Sequence, residues 1–271
     1  MSDDALANLG MYDPAWLRSA NDALWAALGR RLRAAGIADV PDGLEREASL
    51  RAIWRNPRLL LGQTCGYPLV TELGGTIAVV GRPTYALPGC RSGFHRSLVV
   101  VRGEAPFRAL QDLRGTRAAL NGRDSNTGMN LLRRAVAPFS RDGRFFGALV
   151  ETGAHLASLA AVAAGAADAA AVDCVTFGLA ARHRPDLTEG VRVLAQTPES
   201  PTLPFIAAGD ASEERIAILR RALTETIADP ANAEACDALG LAGFEPAAVE
   251  DYAVLLRYEA EAAELGYPVL A

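Results

Sequence analysis

The chain has 271 residues, half of them hydrophobic, and carries a formal net charge of −5 at neutral pH. This length and composition fit one domain with two lobes better than several small modules. An acidic balance without a basic block excludes nucleic-acid binding, which requires clustered positive charge. All 27 basic residues are arginines, so lysine Schiff-base chemistry is excluded as well.

Cysteine and histidine usage predicts neither a metal site nor a disulfide framework. The four cysteines are far apart in sequence and form no C-x-x-C pair, so we expect mostly buried free thiols. These cysteines are Cys65, Cys90, Cys174 and Cys236. Of the three histidines, His95 is expected at a hinge or on the surface, and His183 at a solvated helix end. No cofactor and no bound metal are predicted.

The N-terminus Met1–Ala5 lacks the basic and apolar regions of a leader peptide, and no run of about 18 apolar residues follows. We therefore predict no membrane insertion, and the chain as written slightly favours a cytoplasmic location.

Strands alternate with helices from the start of the chain, which predicts a mainly parallel α/β sheet. A helix is expected over Pro14–Ala35, ended by Gly36. Irregular polar segments are expected at 63–68 and 82–85. The strands predicted in this half are Leu6–Tyr12, Arg58–Gly62, Thr76–Val80 and the crossover strand Arg96–Arg102.

A second α/β sheet is predicted within 103–197, and the proline-rich segment Thr197–Pro204 is expected to cross back to the first lobe. Helices with apolar residues at i, i+3 and i+4 should then cover that lobe. The strands are Thr116–Leu120, Phe146–Val150, Ala169–Val172, Val191–Ala195 and, after the crossover, Phe205–Ala208. The helices are Glu213–Ile227, Ala231–Leu239 and Ala247–Leu265.

A candidate anion-binding turn follows the strand Thr116–Leu120. Ser125, Asn126 and Thr127 offer side-chain donors, and the helix that they open should offer main-chain N–H groups at the positive end of its dipole. Taken alone, the turn fits an ordinary capped helix better than a ligand site, because Ser and Asn are usual N-cap residues.

A second strand-to-helix turn, Thr152–Ser158, contains His155 and Ser158. Ligands bind at the carboxyl ends of strands in open parallel sheets, so both turns should point into one crevice. Asp173 follows a third strand, and it is either a ligand contact or the N-cap of the next helix. His155 can also be read as a capping or core-edge imidazole.

The order of these motifs resembles the phosphate- and phosphonate-binding proteins of ABC importers, over nearly the whole chain. The matching motifs are Asp112-Leu113-Arg114-Gly115, Ser125-x-Thr127-Gly128, Gly153-x-His155, Gly165-x-x-Asp168 and Asp173. The resemblance implies a type II periplasmic-binding-protein fold: two Rossmann-like α/β lobes joined by two crossover strands, with a ligand cleft between them. Lobe one would comprise 1–97 and 203–271, and lobe two 98–202.

The resemblance also implies the ligand contacts. Ser125, Asn126, Thr127, His155 and Ser158 would hold the anion from lobe two, and Asp173 would meet an ammonium of a zwitterionic ligand. From lobe one we expect residues that lie at or beyond strand ends, although core packing or loop structure explains them too. These are Tyr12, Gln63, Thr64, Tyr67 and Tyr85.

The favoured function is a non-catalytic solute-binding protein that closes on a small oxyanion such as phosphate or a phosphonate. Its partners would be a small anionic or zwitterionic ligand and an ABC permease, and it would act as a monomer. Family members are usually periplasmic or lipid-anchored. A cytoplasmic enzyme on the same fold, performing an elimination or rearrangement in cofactor biosynthesis, and a ligand sensor are the alternatives.

Overall fold

Twelve strands and nine α-helices occur in residues 5–271, which are the residues that the computed structural model describes. The strands are β1 Leu6–Ala7, β2 Leu59–Gln63, β3 Ile77–Tyr85, β4 Phe94–His95, β5 Ser97–Arg102, β6 Arg117–Leu120, β7 Ala148–Glu151, β8 Ala169–Asp173, β9 Val191–Gln196, β10 Ser200–Pro201, β11 Phe205–Ala208 and β12 Leu241–Glu245. The helices are α1 Arg18–Ala34, α2 Leu50–Trp54, α3 Gly66–Thr71, α4 Leu131–Val136, α5 His155–Ala163, α6 Cys174–His183, α7 Glu213–Ala228, α8 Ala233–Ala238 and α9 Val254–Glu264.

The chain divides into two compact units, each with its own five-stranded sheet. Unit 1 is described over 5–86, Arg91–Gly93 and Pro201–Asp251, and unit 2 over Leu87–Cys90, Phe94–Ser200 and Tyr252–Ala271. The sequence assigned all of 203–271 to lobe one, but the segment Tyr252–Ala271 belongs to unit 2. The leader prediction rests largely on Met1–Asp4, which lie outside the described residues.

The sheet of unit 1 has the order β1-β2-β11-β3-β12. β1 and β2 are parallel, whereas β11 is antiparallel to both β2 and β3, and β12 is antiparallel to β3. The expectation of a mainly parallel sheet is therefore wrong for this unit. Helical connections impose parallel pairing only on the strands that they join, and β11 enters from a proline-rich segment instead.

Unit 1 buries a core between its sheet and its helices. α1 places apolar side chains at helical spacing on its buried face, among them Leu24, Leu28 and Leu32. A second cluster packs α2 against the sheet; its buried members are Ile53, Trp54, Leu59, Leu73, Ile206 and Ala208. The predicted helix over Pro14–Ala35 is confirmed, with a 3₁₀ turn at Ala15–Leu17 before α1.

The first predicted strand is too long. β1 ends at Ala7, because the Asn8 side chain bends the chain by accepting a hydrogen bond from Gly10 N at 2.9 Å. A 3₁₀ turn, Gly10–Tyr12, follows.

Two segments predicted to be irregular are regular. The segment around Tyr67 forms α3, with Pro68 in its first turn, and β3 continues through Pro83 to Tyr85 because β12 pairs with it. The helix predicted over Ala247–Leu265 is a 3₁₀ turn, Val249–Tyr252, followed by α9.

The sheet of unit 2 has the order β7-β6-β8-β5-β9. β6 is parallel to β7 and to β8, and the crossover strand β5 is antiparallel to β8 and β9. The β5 residues Val99, Val100 and Val101 are fully buried, so β5 lies in the core beside the central strand β8. α9 packs against α4, where Arg134 Nε meets Glu261 Oε2 at 2.5 Å. Within 5–271, no helix is both long and apolar enough to cross a membrane.

We expect Gly81→Ala to destabilise unit 1 by about 1–3 kcal/mol. A Cβ at Gly81 in β3 would overlap the Phe244 ring and lie 2.6 Å from the main-chain oxygen of Glu245 in β12. Urea unfolding followed by tryptophan fluorescence measures this, since Trp16, Trp25 and Trp54 all lie in unit 1. Gly74→Ala is the matched control, because no atom lies within 4 Å of its added Cβ. Equal unfolding free energies for the two variants would contradict the assigned close approach of β12.

Candidate functional site

One edge of the unit 2 sheet collects the candidate anion-binding residues. The strand directions place the carboxyl ends of β6, β7, β8 and β9 at this edge, together with the start of β5. The turn after β6 carries Ser125 and Thr127, the turn after β7 leads to His155, and β8 ends at Asp173. The predicted convergence of the two donor-bearing turns is confirmed, because Thr127 Oγ1 lies 2.9 Å from His155 Nε2.

The turn after β6 is held by its own cap and opens a π-helical turn, Asn126–Asn130, before α4. Ser125 Oγ accepts a hydrogen bond from Gly128 N at 2.9 Å, and the Ser125 carbonyl accepts from Met129 N and Asn130 N. A Cβ at Gly128 would overlap Asn121 Oδ1, so any larger residue here requires the Asn121 side chain to move. Irregular helical turns of this kind recur at functional sites.

Asn126 positions the turn through a buried amide network. Its Nδ2 donates to Ser200 Oγ at 3.0 Å, and its Oδ1 accepts from Asn130 Nδ2 at 3.3 Å. Arg133 Nη2 in turn donates to Asn130 Oδ1 at 2.8 Å. The side chain predicted as an anion donor is thus already engaged with Ser200 and Asn130, and it anchors the turn.

Thr127 and His155 are the two polar side chains best placed to present donors at this edge. Ser97 Oγ donates to the Thr127 carbonyl at 2.6 Å and so fixes the threonine against the start of β5. His155 is the first residue of α5 and is partly buried. Burial lowers the pKa of His155, the neighbouring His95 lowers it further, and Asp173 only partly opposes this. His155 is therefore neutral at neutral pH, and one ring nitrogen can donate while the other accepts.

Ser158 supports the same turn from one helical turn further along α5. It is buried, and its Oγ lies 2.7 Å from Thr152 Oγ1. Thr152 also donates to the Leu120 carbonyl at the end of β6, at 3.2 Å. Thr152 is not among the predicted ligand contacts, although its place between β7 and α5 is a usual position for a polar turn residue.

Asp173 is the N-cap of α6 and half of a buried ion pair. Its Oδ1 accepts hydrogen bonds from Val175 N and Thr176 N at 2.8 and 3.0 Å, which confirms the capping interpretation. Its Oδ2 lies 2.9 Å from His95 Nδ1, and both side chains are almost completely buried. A surface position for His95 is therefore wrong, and a hinge role stays a prediction.

The two partners shift each other's pKa in opposite directions. Burial opposes the charged form of Asp173, but the His95 charge and hydrogen bond outweigh it and hold the pKa of the carboxyl below its usual value. Burial likewise opposes the charged form of His95, but Asp173 raises the pKa of the imidazole. A protonated His95 neutralises the carboxylate, so Asp173 needs no ligand ammonium to balance its charge.

The candidate residues of unit 1 form a separate group. Tyr12, Gln63 and Tyr85 line one small pocket, and the rings of Tyr12 and Tyr85 pack edge to face at 5.8 Å. Gln63 Nε2 donates to the Leu203 carbonyl at 3.1 Å. Thr64 is fully buried and donates to the Cys65 carbonyl. A ligand-binding role for these residues, and for Tyr67 in α3, stays a prediction.

Among residues 5–271, no three His, Cys, Asp or Glu side chains are grouped so that they could hold a metal ion. The candidate residues at this edge offer hydroxyl, imidazole and amide groups, and the Asp173 carboxylate among them is paired with His95. Such a set can bind a small anion through hydrogen bonds, because fixed donors replace the water that the anion loses.

The two histidines should affect stability at opposite ends of the pH range. The raised pKa of His95 contributes stability that is fully present below about pH 6.5 and is lost as pH rises through the folded-state pKa. The lowered pKa of His155 contributes stability that is present above about pH 6.5 and is lost as pH falls. We expect His95→Gln to remove the alkaline decline and His155→Gln to remove the acid decline, measured by urea unfolding with circular dichroism from pH 5 to 9. Profiles parallel to the parent in both variants would refute these shifts.

A family model of the periplasmic phosphonate substrate-binding proteins of ABC transporters matches residues 63–252. No curated protein sequence matches the chain.

Solved structures of low sequence identity share the fold. The binding-protein component of an ABC phosphonate transporter from Pseudomonas aeruginosa has a TM-score of 0.78 at 12% identity, over 97% of this chain and 87% of that one. PhnD1 from Prochlorococcus marinus, in complex with methylphosphonate, has a TM-score of 0.77 at 17% identity, over 96% and 98%. A protein from Xanthomonas citri bound to ATP has a TM-score of 0.70 at 19% identity, over 97% and 98%. The fold is that of the type II periplasmic binding proteins. The chain belongs to the non-catalytic family of phosphonate substrate-binding proteins of ABC transporters.

Proposed function

We propose that this protein binds a small phosphonate or phosphate at the strand-end edge of unit 2. The observation that carries the proposal is the contact of Thr127 with a neutral His155, where two strand-to-helix turns converge. Thr127, His155 and nearby main-chain N–H groups would donate to the oxyanion. Ser125, Asn126 and Ser158 would hold the two turns in place.

The charge balance of this edge supports a simple anion. Protonated His95 offsets the Asp173 carboxylate, so the buried pair places no net negative charge next to a bound phosphonate. α5 begins at His155, and its N-terminal dipole adds favourable potential for an anion. Asp173 therefore does not require a zwitterionic ligand, since the cation that balances it is His95 of the same protein.

The family works with ABC permeases and is periplasmic. We propose the same setting for this chain: it would act as a monomer in the periplasm and pass its ligand to a permease. The ligand class is proposed from the donor set described here, and the methylphosphonate complex of PhnD1 supports that choice.

Isothermal titration calorimetry should show saturable binding of methylphosphonate or phosphate, with sulfate weaker, because sulfate has no O–H group to donate to the accepting nitrogen of a neutral His155, whereas the monoprotonated forms of phosphate and methylphosphonate do. Phosphorus NMR of the ligand recovered after incubation should show it unchanged, as expected of a binding protein. Binding of ATP without binding of either small anion would refute the proposed ligand class. Recovery of an altered product would refute the non-catalytic role.

Thr127→Val should weaken binding of that anion by about 1–3 kcal/mol, because it removes the hydroxyl but keeps the branched shape. Thr116→Val is the matched control: Thr116 lies just before β6, at the opposite end of the same strand, and its hydroxyl donates to the Leu113 carbonyl. Calorimetry on both variants separates a site effect from general loss of packing. Equal affinities for Thr127→Val and the parent would show that the anion binds elsewhere.

A further inference from the structure

Two of the four cysteines lie side by side in unit 2. Cys90 Sγ is 3.5 Å from Cys174 Sγ, although 84 positions separate them in sequence. Cys174 is fully buried as the first residue of α6, and Cys90 is partly exposed in the segment between β3 and β4. The binding site described above uses neither thiol.

The backbone brings these sulfurs together through a glycine. Gly89 has φ of +91°, and a Cβ there would lie 2.9 Å from Cys174 Cβ and 3.2 Å from its Sγ. Only a residue without a side chain allows the Cys90 segment to approach α6 so closely. A disulfide requires a sulfur separation of about 2.05 Å, so the thiols must move about 1.5 Å closer. Cys90 lies outside the helices and strands, so its side chain and loop can supply this movement.

We propose that Cys90 and Cys174 are an oxidation site that closes into a disulfide within unit 2 when a disulfide oxidant is supplied. The Cys90 thiolate attacks the oxidant's S–S bond and forms a mixed disulfide, and one thiolate leaves. Cys174 then loses its proton and attacks Cys90 Sγ, and the second thiolate leaves. The protein loses two electrons and two protons, and the oxidant becomes two thiols.

The surroundings of the two thiols set the order of attack. The hydrogen bond to Cys90, burial and the nearby Asp173 charge all raise the pKa of Cys174, so its thiol is a poor first nucleophile. Cys90 is the more accessible sulfur and reacts first. Once Cys90 Sγ is bonded in a mixed disulfide, the hydrogen bond between the two thiols is lost and no longer opposes deprotonation of Cys174.

The bond would fasten the segment before β4 to the start of α6. This bond would lie next to the candidate site, because Asp173 directly precedes Cys174 and pairs with His95 in β4. Extracytoplasmic compartments keep such bonds oxidised. This proposal does not depend on which anion the protein binds.

The test exposes the folded, reduced protein to oxidised glutathione, unfolds it, alkylates the free thiols and weighs it intact. We expect two of the four thiols to escape alkylation, so that the protein carries two alkyl groups and weighs two hydrogens less than the reduced chain with two such groups. Digestion should then release a Cys90–Cys174 cross-linked peptide. Cys90→Ser and Cys174→Ser should each keep three alkylatable thiols or carry one glutathione. The double variant Cys65→Ser and Cys236→Ser is the matched control and should lose both remaining thiols.

Thermal unfolding gives a second measurement. Closing a loop of 84 residues should raise the unfolding midpoint of the oxidised protein by about 5–10 °C over the reduced protein, and Cys90→Ser should show no rise. Four thiols retained after oxidation, or a cross-link that involves Cys65 or Cys236, would overturn the proposal. A stable glutathione adduct on Cys90 beside a free Cys174 would overturn it as well.

Discussion

The buried ion pair between Asp173 and His95 is the interaction on which the candidate site depends. A carboxylate removed from water is costly unless it is paired and hydrogen-bonded, and Asp173 obtains one cation and two main-chain donors. The pair joins the end of β8 to β4, just before β5. Asp173 Oδ1 also fixes the first turn of α6. Because it is internally balanced, the pair itself adds no net negative charge that would repel an anion.

Two further hydrogen bonds connect the region of this ion pair to the two turns of the candidate site. Ser97 begins β5 two residues after His95, and its hydroxyl holds the Thr127 carbonyl. Thr127 then contacts His155, whose pKa is lowered by burial and by the His95 charge. Burial of the imidazole, rather than the Asp173–His95 pair, therefore keeps this second histidine neutral. That neutrality lets the imidazole act as a hydrogen-bond donor or acceptor, which the proposed anion site would use.

Much of unit 2 could be predicted from the sequence, because apolar runs bounded by polar turns mark its strands within one or two residues, as for β6 and β8. Features that depend on a distant partner could not. β12 is a short, half-buried strand containing Gly243, and it becomes recognisable only when paired with β3. α9 shows an apolar stripe but nothing in it indicates that α4 is its neighbour. His95 stands beside Arg96 and so resembles a surface residue, while its partner lies 78 positions away.

The same limit applies to the chemistry of the site. Residue types and their spacing predicted which turns carry donors, yet side-chain partners decide how each donor is used. Asn126 and Ser158 are occupied by Ser200 and Thr152, so they stabilise the turns, whereas Thr127 and His155 remain at the point where the turns meet. Because Thr127 and a neutral His155 carry no charge, their contribution to selectivity must come from the geometry of their hydrogen bonds. The rigidity that Asp173, Ser97 and Asn126 give to the turns is therefore the property that the binding chemistry depends on.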